Sequence, residues 1–237
     1  MKKETIIAMI PARMGSTRLA RKNLAILNGK PLVSYAIQAA RESGVFNRVI
    51  VNSEDAAFAG IAARYRAEFY QRPVQLGGSS VKSDDVVYDF MIKNPGDITA
   101  WVNPTSPLQT GEEVKNVITF FCEQQLDSLI TVREEQVHCL YGGRPLNFSE
   151  EGLFAQTQDL VPVQRFVYSV MMWRNNTFCE AYKKQGHAFF CGKTGYYRVS
   201  RESALLVKTE EDFRLIHCIL TGKEQNKDFR VEYDPLD

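Results

Sequence analysis

Residues 10–23 have the sequence Ile10-Pro-Ala-Arg-Met-Gly-Ser-Thr-Arg-Leu-Ala-Arg-Lys-Asn23 and follow an apolar segment, Thr5-Ile-Ile-Ala-Met-Ile10, that is typical of a buried β-strand. The loop carries four cations, a glycine and two hydroxyl side chains: Arg13, Gly15, Ser16, Thr17, Arg18, Arg21 and Lys22. Backbone N–H groups and cations at the carboxyl end of a strand can bind one polyanion. The pattern therefore predicts a polyphosphate-binding loop, and an ordinary solvated basic loop is the alternative.

The basic loop departs from two common nucleotide-binding motifs. It lacks the Gly-x-x-x-x-Gly-Lys-Ser/Thr spacing of a Walker loop and the Gly-x-Gly-x-x-Gly spacing of dinucleotide-binding folds. The 237-residue chain has a formal net charge of +1, so it lacks the basic excess that nucleic acid or an acidic membrane surface would favour. We expect no nucleic-acid or membrane partner, and a small anion as the ligand of the loop.

Composition and cysteine spacing are those of an ordinary globular protein. Apolar residues make up 44% of the sequence, which is enough for the core of one large domain. The five cysteines are widely separated and form no Cys-x-x-Cys pair, which favours reduced, structural thiols. The apolar segment near the N-terminus is too short for a signal peptide or a membrane span. These observations predict a cytoplasmic location.

Strand and helix patterns alternate along the chain. The strands predicted after the first are residues 48–52, 98–103, 128–132 and 166–173. The predicted helices are residues 32–43, 54–65, 84–91, 112–123 and 210–220, with Ser83 and Thr209 as N-caps and a loop that begins at Phe69. This βαβ rhythm predicts an α/β fold, with a mostly parallel sheet flanked by helices in a single domain spanning residues 1–237.

Residues 134–162 interrupt this rhythm with glycines, prolines and polar residues. We interpret this segment, called the excursion below, as an insertion that leaves the sheet. Phe148, Leu153, Phe154 and Leu160 are scattered through its polar sequence. The excursion is either a lid over the site or an arm that packs on a partner subunit, and the sequence does not distinguish the two.

Histidine and tryptophan form no motif in this chain. His138, His187 and His217 lack the spacing of metal ligands. Trp101 lies in a predicted core strand and Trp173 at a strand end, where packing accounts for both.

Four further segments follow the basic loop in order: Arg48-Val-Ile-Val-Asn-Ser-Glu-Asp55, Arg72-Pro73, Asn103-Pro-Thr-Ser-Pro-Leu108 and Thr157-Gln-Asp-Leu-Val-Pro162. Together with the loop they resemble the acylneuraminate cytidylyltransferases, which are CMP-sialic acid synthetases. Residues 12–19 are also similar to the synthetases that activate the eight-carbon acid Kdo. The resemblance implies a Rossmann-like nucleotidyltransferase fold, a homodimer and Mg²⁺ as cofactor. It also implies transfer of CMP from CTP to the anomeric hydroxyl of an acidic sugar, with release of pyrophosphate.

The same resemblance implies roles for residues of this chain. Those implied to bind the nucleotide are Ala12, Arg13, Gly15, Ser16, Lys22, Asn23, Arg72 and Ser83. Those implied to bind the sugar are Asn103, Thr105, Ser106, Gln158 and Asp159. Arg13 and Lys22 would stabilise the charge that builds up on the departing pyrophosphate. Ser83 can equally be explained as a helix cap, and the pair Gln158 and Asp159 as solvated polar residues.

The sequence departs from the family pattern at the sugar and metal positions. The family often has Gln at the position of Asn103 and Arg at the position of Gln109, which leaves the identity of the sugar acid open. Its members commonly have Asp-Ile-Asp-Thr, whose two aspartates serve magnesium, where this chain has Leu206-Val-Lys-Thr209. An aliphatic chain and an ammonium cannot ligate a hard divalent cation, so the metal ligands stay unassigned.

Three interpretations of the missing aspartates are open. In the first, the triphosphate and water carry Mg²⁺ with help from another carboxylate such as Asp85 or Asp159. In the second, the ammonium of Lys208 takes over part of the charge neutralisation, which places it with Arg13 and Lys22 among the catalytic residues. In the third, the chain binds a nucleotide without turning it over. A transferase for a different base or sugar is a further enzymatic alternative.

Overall fold

One large sheet and two short hairpins contain the strands of the chain, seen in a computed structural model that describes residues 4–226, 230–231 and 233–234. The strands are β1 (Ile6–Pro11), β2 (Ile26–Leu27), β3 (Lys30–Pro31), β4 (Arg48–Ser53), β5 (Glu68–Gln71), β6 (Ile98–Val102), β7 (Ser128–Glu135), β8 (Leu140–Tyr141), β9 (Arg144–Pro145), β10 (Val163–Arg174) and β11 (Thr194–Arg198). The helices are α1 (Val33–Ser43), α2 (Ala57–Arg64), α3 (Ser83–Lys93), α4 (Gly111–Glu123), α5 (Asn175–Gln185) and α6 (Glu210–Gln225).

All strands of the large sheet except β10 run in the same direction. In the described part of the chain the strand order is β11-β7-β10-β6-β1-β4-β5, while β2 pairs with β3 and β8 with β9. β1 pairs in parallel with β4 and β6, β4 with β5, and β7 with β11, whereas β10 lies antiparallel between β6 and β7. The predicted α/β fold with a mostly parallel sheet is confirmed. The loops that follow the parallel strands consequently gather at one edge of the sheet.

Buried apolar side chains cover both faces of the sheet. Along β1, Ala8 and Ile10 pack in the cluster that includes α1, α2 and α4, whereas Ile7 and Met9 pack in the cluster that includes α3 and α5. Successive residues of a strand point to opposite faces, so a strand covered on both sides needs an uninterrupted apolar run. This requirement explains why the segment before the basic loop carries no polar residue from Ile6 to Ile10.

The C-terminal helix packs beside the basic loop. Leu27 and Leu32 share a buried cluster with Val207 and with Ile216 of α6. The Thr209 side chain accepts a hydrogen bond from the Asp212 N–H while the Asp212 carboxylate accepts one from the Thr209 N–H, which is a capping box. The prediction of Thr209 as N-cap is confirmed, although α6 continues to Gln225 rather than ending at residue 220.

Three elements differ from the sequence-based expectation. The predicted loop from Phe69 is wrong, because residues 68–71 form β5, a short edge strand that pairs with β4. α5 and β11 were not predicted, since their residues are polar or half-exposed and show no clean apolar period. Their structure comes from tertiary contacts, in which Phe178 of α5 packs in the same cluster as Val87 of α3.

The starts of two helices differ from the sequence-based expectation. α2 starts at Ala57 instead of residue 54, because the Ser53 hydroxyl accepts from the Asp55 N–H and the Asp55 carboxylate from the Ala57 N–H. These bonds form a turn ahead of the helix. The prediction of Ser83 as an N-cap is wrong, since Ser83 is the first residue of α3 and Lys82 precedes it without a side-chain capping bond. Ser83 is thereby left available to the cleft described below.

The excursion leaves the sheet at the carboxyl end of β7 and returns into β10. Residues 134–135 still belong to β7, and a β8–β9 hairpin follows. Several of its apolar side chains are exposed: Leu140, Tyr141, Leu146, Leu153, Phe154 and Val161. Within the described residues, the structure has no helix with the length and apolar character needed to span a bilayer.

Candidate functional site

A cleft of about 300 Å³ lies at the carboxyl edge of the sheet, where the segments after β1, β5 and β6 meet the start of α3. Its lining residues are Pro11, Arg13, Ser16, Lys22, Asn23, Arg72, Leu76, Gly78, Val81, Ser83, Val86, Trp101, Asn103, Pro104 and Thr105. The structure therefore brings together eight of the predicted site residues, which are Arg13, Ser16, Lys22, Asn23, Arg72, Ser83, Asn103 and Thr105. Side chains from positions more than ninety residues apart meet there because parallel strands end together.

A glutamate that the sequence analysis did not single out holds this cleft together. One carboxylate oxygen of Glu54 accepts a hydrogen bond from the Met14 N–H at 2.8 Å, and the other accepts from Arg72 Nη2 at 2.8 Å. The side chains of Arg72 and Glu54 are only 4% and 12% exposed. A Cβ at Gly77 would lie 2.5 Å from Glu54 Cγ, so glycine leaves the room that the carboxylate occupies. The only sequence signal for this role is an acid directly after β4.

Hydrogen bonds fix the position of Arg72 and leave one of its side-chain N–H groups, Nε, without a partner in the described residues. Its backbone N–H donates to the Ser53 carbonyl at 2.9 Å, and Nη1 donates to the Asn52 carbonyl at 3.2 Å. Burial lowers the pKa of Arg72 below its ordinary value, an effect that the Glu54 charge opposes. Arg72 Nε is buried and has no hydrogen-bond partner among the described residues. Since buried donors are almost always paired, this N–H fits an acceptor atom of a ligand in the cleft.

Lys22 lies near the end of the basic loop, close to the positive charges of Arg13 and Arg18. Its Nζ donates to the Val207 carbonyl at 2.9 Å. Burial, followed by the charges of Arg18 and Arg13, lowers the pKa of Lys22 to about 8, while Asp212 acts in the opposite direction. A polyanion among these side chains would relieve their mutual repulsion and raise that pKa. The arrangement is therefore suited to binding phosphate groups.

Hydrogen bonds to backbone carbonyls hold the basic loop in its conformation. Asn23 Nδ2 donates to the Arg13 carbonyl at 3.1 Å, so this predicted ligand-binding amide also fixes the loop. Arg21 adopts φ 48°, a left-handed conformation that turns the chain towards Lys22. Ala12 is fully buried and donates its N–H to the Asn52 carbonyl at 2.9 Å. Gly15 does not line the cleft, and a Cβ there would meet nothing within 4 Å.

At the end of β6, Asn103 stabilises the turn that the two prolines predict. Its side-chain oxygen accepts from the Thr105 N–H at 3.1 Å and from Thr105 Oγ1 at 2.9 Å, and its Nδ2 donates to the Tyr168 carbonyl at 3.0 Å. Ser106 is buried behind the turn and donates to the Ser203 carbonyl at 2.6 Å. The amide of Asn103 is thus largely used within the protein.

Six predicted site residues lie outside the lining of the cleft: Ala12, Gly15 and Ser106, described above, and Gln158, Asp159 and Lys208. Gln158 and Asp159 are in a short 3-10 turn of the excursion, where Gln136 donates to the Gln158 carbonyl at 2.8 Å. Lys208 is exposed, and its N–H donates to the Asp212 carboxylate at 2.8 Å. Its charge is nevertheless close enough to contribute to the lowered pKa of Lys22.

The residues of the cleft do not fit a divalent cation held by protein carboxylates. Its lining contains no Asp or Glu, and Glu54 is engaged as described. Asp85 accepts from the Tyr182 hydroxyl at 2.6 Å, and Asp212 caps α6. In the ranges that the structure describes, no group of three or more His, Cys, Asp and Glu side chains is arranged to hold a metal. Cations of the protein, rather than carboxylates, dominate this cleft.

Comparison with known proteins gives one family and a consistent fold. The family model described as Cytidylyltransferase matches residues 7–140. An N-acylneuraminate cytidylyltransferase of Escherichia coli O18:K1:H7 is 27% identical over 236 residues, which cover 94% of this chain and 54% of that protein. The post-translational flagellin modification protein B of Campylobacter coli is 23% identical over 238 residues, covering 94% of this chain and 99% of that protein. The chain thus spans about half the length of the first relative and nearly all of the second.

A solved structure supports the same fold. The CMP:2-keto-3-deoxy-manno-octonic acid synthetase complexed with CTP superposes with a TM-score of 0.71 at 13% identity, covering 92% of this chain and 99% of that one. The expected resemblance to acylneuraminate cytidylyltransferases and to CMP-Kdo synthetases is confirmed, as is the Rossmann-like nucleotidyltransferase fold. The comparisons give no support to a non-catalytic protein on this fold.

Removing the charge of Glu54 should destabilise the folded protein far more than removing the charge of an exposed acid. We expect E54Q to lower the free energy of unfolding by about 3 kcal/mol, because the Arg72 guanidinium then stays buried without its counter-charge. The matched control is E68Q, whose pair with Arg48 is exposed and should contribute less than about 1 kcal/mol. Urea unfolding of both variants measures the difference. Equal losses would show that the Glu54 bridge has no special role.

Binding of inorganic tripolyphosphate should weaken as Lys22 loses its proton. The pKa of about 8 belongs to the free protein, and a bound polyanion raises it, so binding takes up protons above that pH. We expect affinity to fall about tenfold more in the native chain than in K22R between about pH 7 and about pH 10. K22R keeps its charge and corrects for titration of the ligand. Calorimetry in buffers of different ionisation enthalpy measures the proton uptake, and identical pH profiles would contradict the assignment.

Proposed function

The chain belongs to the cytidylyltransferase family, and from this premise we propose that it transfers CMP from CTP to the anomeric hydroxyl of an acidic sugar. The acceptor is a sialic acid, another nonulosonic acid or a Kdo-like acid, and pyrophosphate leaves. The single observation that carries the proposal is the cleft in which Arg13 and Lys22 of the basic loop face Arg72 across the sheet edge. These groups match the phosphates and the base of one nucleotide.

In the proposed reaction the acceptor hydroxyl oxygen attacks the α-phosphorus of CTP. A new oxygen–phosphorus bond forms as the bond to the β-phosphate breaks, and the hydroxyl proton is released. Negative charge then grows on the pyrophosphate group. Arg13 and Lys22, with Lys208 nearby, stabilise that charge more in the transition state than in the ground state.

Recognition of cytosine is the proposed role of Arg72. The base presents a carbonyl oxygen and a ring nitrogen as acceptors, and Arg72 Nε is a buried donor without a protein partner. Glu54 fixes the guanidinium from the other side, so the donor needs little reorganisation on binding. Ser16, Asn23 and Ser83 line the same cleft and complete the proposed nucleotide contacts. Ala12 and Gly15 remain proposed nucleotide contacts of the basic loop, although neither lines the cleft.

The acceptor side of the proposal lies at the end of β6. Asn103 and Thr105 line the cleft there, and Ser106 supports their turn from behind. Gln158 and Asp159 remain proposed acceptor contacts from the excursion, although no described residue of the excursion lines the cleft. Two relatives are named as an N-acylneuraminate cytidylyltransferase and a pseudaminic acid cytidylyltransferase, and these names support an acidic sugar as the acceptor.

Magnesium enters this proposal only as an ion carried by the triphosphate and its water. Oxygen ligands from phosphates and water satisfy Mg²⁺ without a protein cage, and the lining of the cleft offers no carboxylate. Lys208 occupies a position from which its ammonium supplements the charge of Lys22. The interpretation in which Asp85 ligates the metal loses support, because that carboxylate accepts from Tyr182.

We also propose that the excursion is the arm of a homodimer in the cytoplasm. Leu153 is 97% exposed, Tyr141 80% and Phe154 75%, which is unusual for large apolar side chains on a monomer. None of these side chains lines the cleft. Among the described residues, therefore, no contact between the excursion and the lining of the cleft supports the interpretation of the excursion as a lid. All five cysteines are free, as expected in a reducing compartment.

A pyrophosphate-release assay tests the proposed reaction. We expect release only when CTP is combined with a sugar acid, in a panel of four nucleoside triphosphates and of N-acetylneuraminic acid, pseudaminic acid and Kdo, with and without Mg²⁺. R13A and K22A should lower turnover by about a hundredfold while circular dichroism stays native, because charge on the leaving group loses its partner. R64A, an exposed arginine of α2, is the control. Absence of release with every pair would refute the proposal.

The dimer arm has its own test. We expect the native chain to have the mass of a dimer by light scattering, and the double variant L140D/L153D to have the mass of a monomer, since charges oppose burial of these exposed side chains. V74D alters an exposed apolar residue outside the excursion and should remain dimeric. A native chain that is monomeric at all concentrations would favour the lid.

A further inference from the structure

Trp101 has an unexplained hydrogen-bond donor at the cleft. Its indole Nε1 is buried and has no partner among the described residues, and Trp101 lines the cleft. Buried indole N–H groups are normally paired. The other tryptophan of the chain follows that rule, because Trp173 Nε1 donates to the Phe189 carbonyl at 2.9 Å. Of the cleft-lining side chains with an orphaned buried polar atom, Arg72 already has a proposed ligand and Trp101 has none.

The strand order places Trp101 away from the nucleotide base. Trp101 lies in β6, opposite Met9 of β1, whereas Arg72 follows β5. β1 and β4 lie between those two strands. With neighbouring strands ~4.8 Å apart, β6 and β5 are separated by about 14 Å. A nucleotide with its base at Arg72 and its phosphates on the loop after β1 therefore leaves Trp101 on the far side of the α-phosphate, where the acceptor must lie.

Asn103, the next residue on the same face of β6, has little hydrogen-bonding capacity left for a ligand. Trp101 and Asn103 are two residues apart and so project from the same face of β6. The Asn103 amide is bonded to Thr105 and to the Tyr168 carbonyl. The indole N–H is thus the uncommitted donor at this strand end, and Val86 of α3 lines the cleft with it. A fixed donor in an apolar setting discriminates strongly between ligands with and without a matching acceptor.

We propose that Trp101 is a specificity-determining residue whose indole N–H donates a hydrogen bond to an oxygen of the sugar acid. The inference rests on the proposed function, because it assigns this end of the cleft to the acceptor. The indole cannot accept or release a proton in the reaction, so its role is recognition rather than acid–base chemistry. Its ring also presents an apolar wall to the sugar, which a phenylalanine would largely retain.

The substitution W101F removes the donor and keeps an aromatic ring. With the best sugar acid of the panel above, we expect KM for that acid to rise about fivefold, while KM for CTP and kcat change less than twofold. W173F is the matched control, since it removes an indole bonded inside the protein and should lower thermal stability without changing KM for the acid. An unchanged KM for the acid in W101F would overturn the inference. So would an equal rise in KM for CTP, which would place the N–H on the nucleotide.

A binding measurement makes the test independent of turnover. The chain has two tryptophans, so W173F leaves Trp101 as the sole indole fluorophore. Addition of the sugar acid, in the presence of a CTP analogue with a methylene group between the α- and β-phosphates, should shift its emission and protect it from iodide quenching. Emission that is unaffected by the acid would overturn the inference. Failure of the native chain to release pyrophosphate with any acid would instead refute the proposed function, so the two failures are distinguishable.

Discussion

The bridge formed by the Glu54 carboxylate is the interaction on which the cleft depends. It joins the Met14 N–H of the basic loop to the Arg72 guanidinium, two groups that come from different strand ends. Without it the loop would lose one of the hydrogen bonds that hold it, and a buried cation would lose its counter-charge. The bridge also contributes to the electrostatic character of the site, because it pairs the Glu54 carboxylate with the Arg72 guanidinium. Arg13 and Lys22 line the cleft together with no carboxylate, and they are suited to a polyanionic ligand.

The fold could largely be predicted from residues 5–132, where buried parallel strands require continuous apolar runs. The strands at residues 48–52, 98–103 and 128–132 and their helices follow directly from that pattern and are present in the structure. β5 escaped prediction because an edge strand with half its residues exposed has no such run. α5 and β11 escaped prediction because tertiary contacts, rather than a local pattern, stabilise them: Phe178 of α5 packs in a buried cluster, and β11 pairs with β7.

The sequence could name Arg13, Ser16 and Lys22 because their chemistry is local to one loop. Arg72, Ser83 and Thr105 lie elsewhere in the chain and were implied only by the family resemblance. Glu54 and Trp101 could not be named from the sequence, for a different reason in each case. The role of Glu54 appears only when two distant segments are brought against it. That of Trp101 depends on an absent partner, and a missing hydrogen bond has no signature in a sequence. The role of Asp85 likewise depends on tertiary structure, because its carboxylate accepts a hydrogen bond from Tyr182, a residue 97 positions away in the chain.

The antiparallel strand β10 constrains how the molecule is assembled during synthesis. β10 follows both β6 and β7 in the chain but lies between them in the sheet. β7 therefore emerges from the ribosome before the neighbour that will connect it to the rest of the sheet. Until residue 174 has been made, β6 and β7 must wait with unpaired edges, which is a hazard for aggregation. The hydrogen bond from Lys22 to the Val207 carbonyl can form only after residue 207 has been synthesised. The phosphate end of the cleft is therefore completed when most of the polypeptide is available.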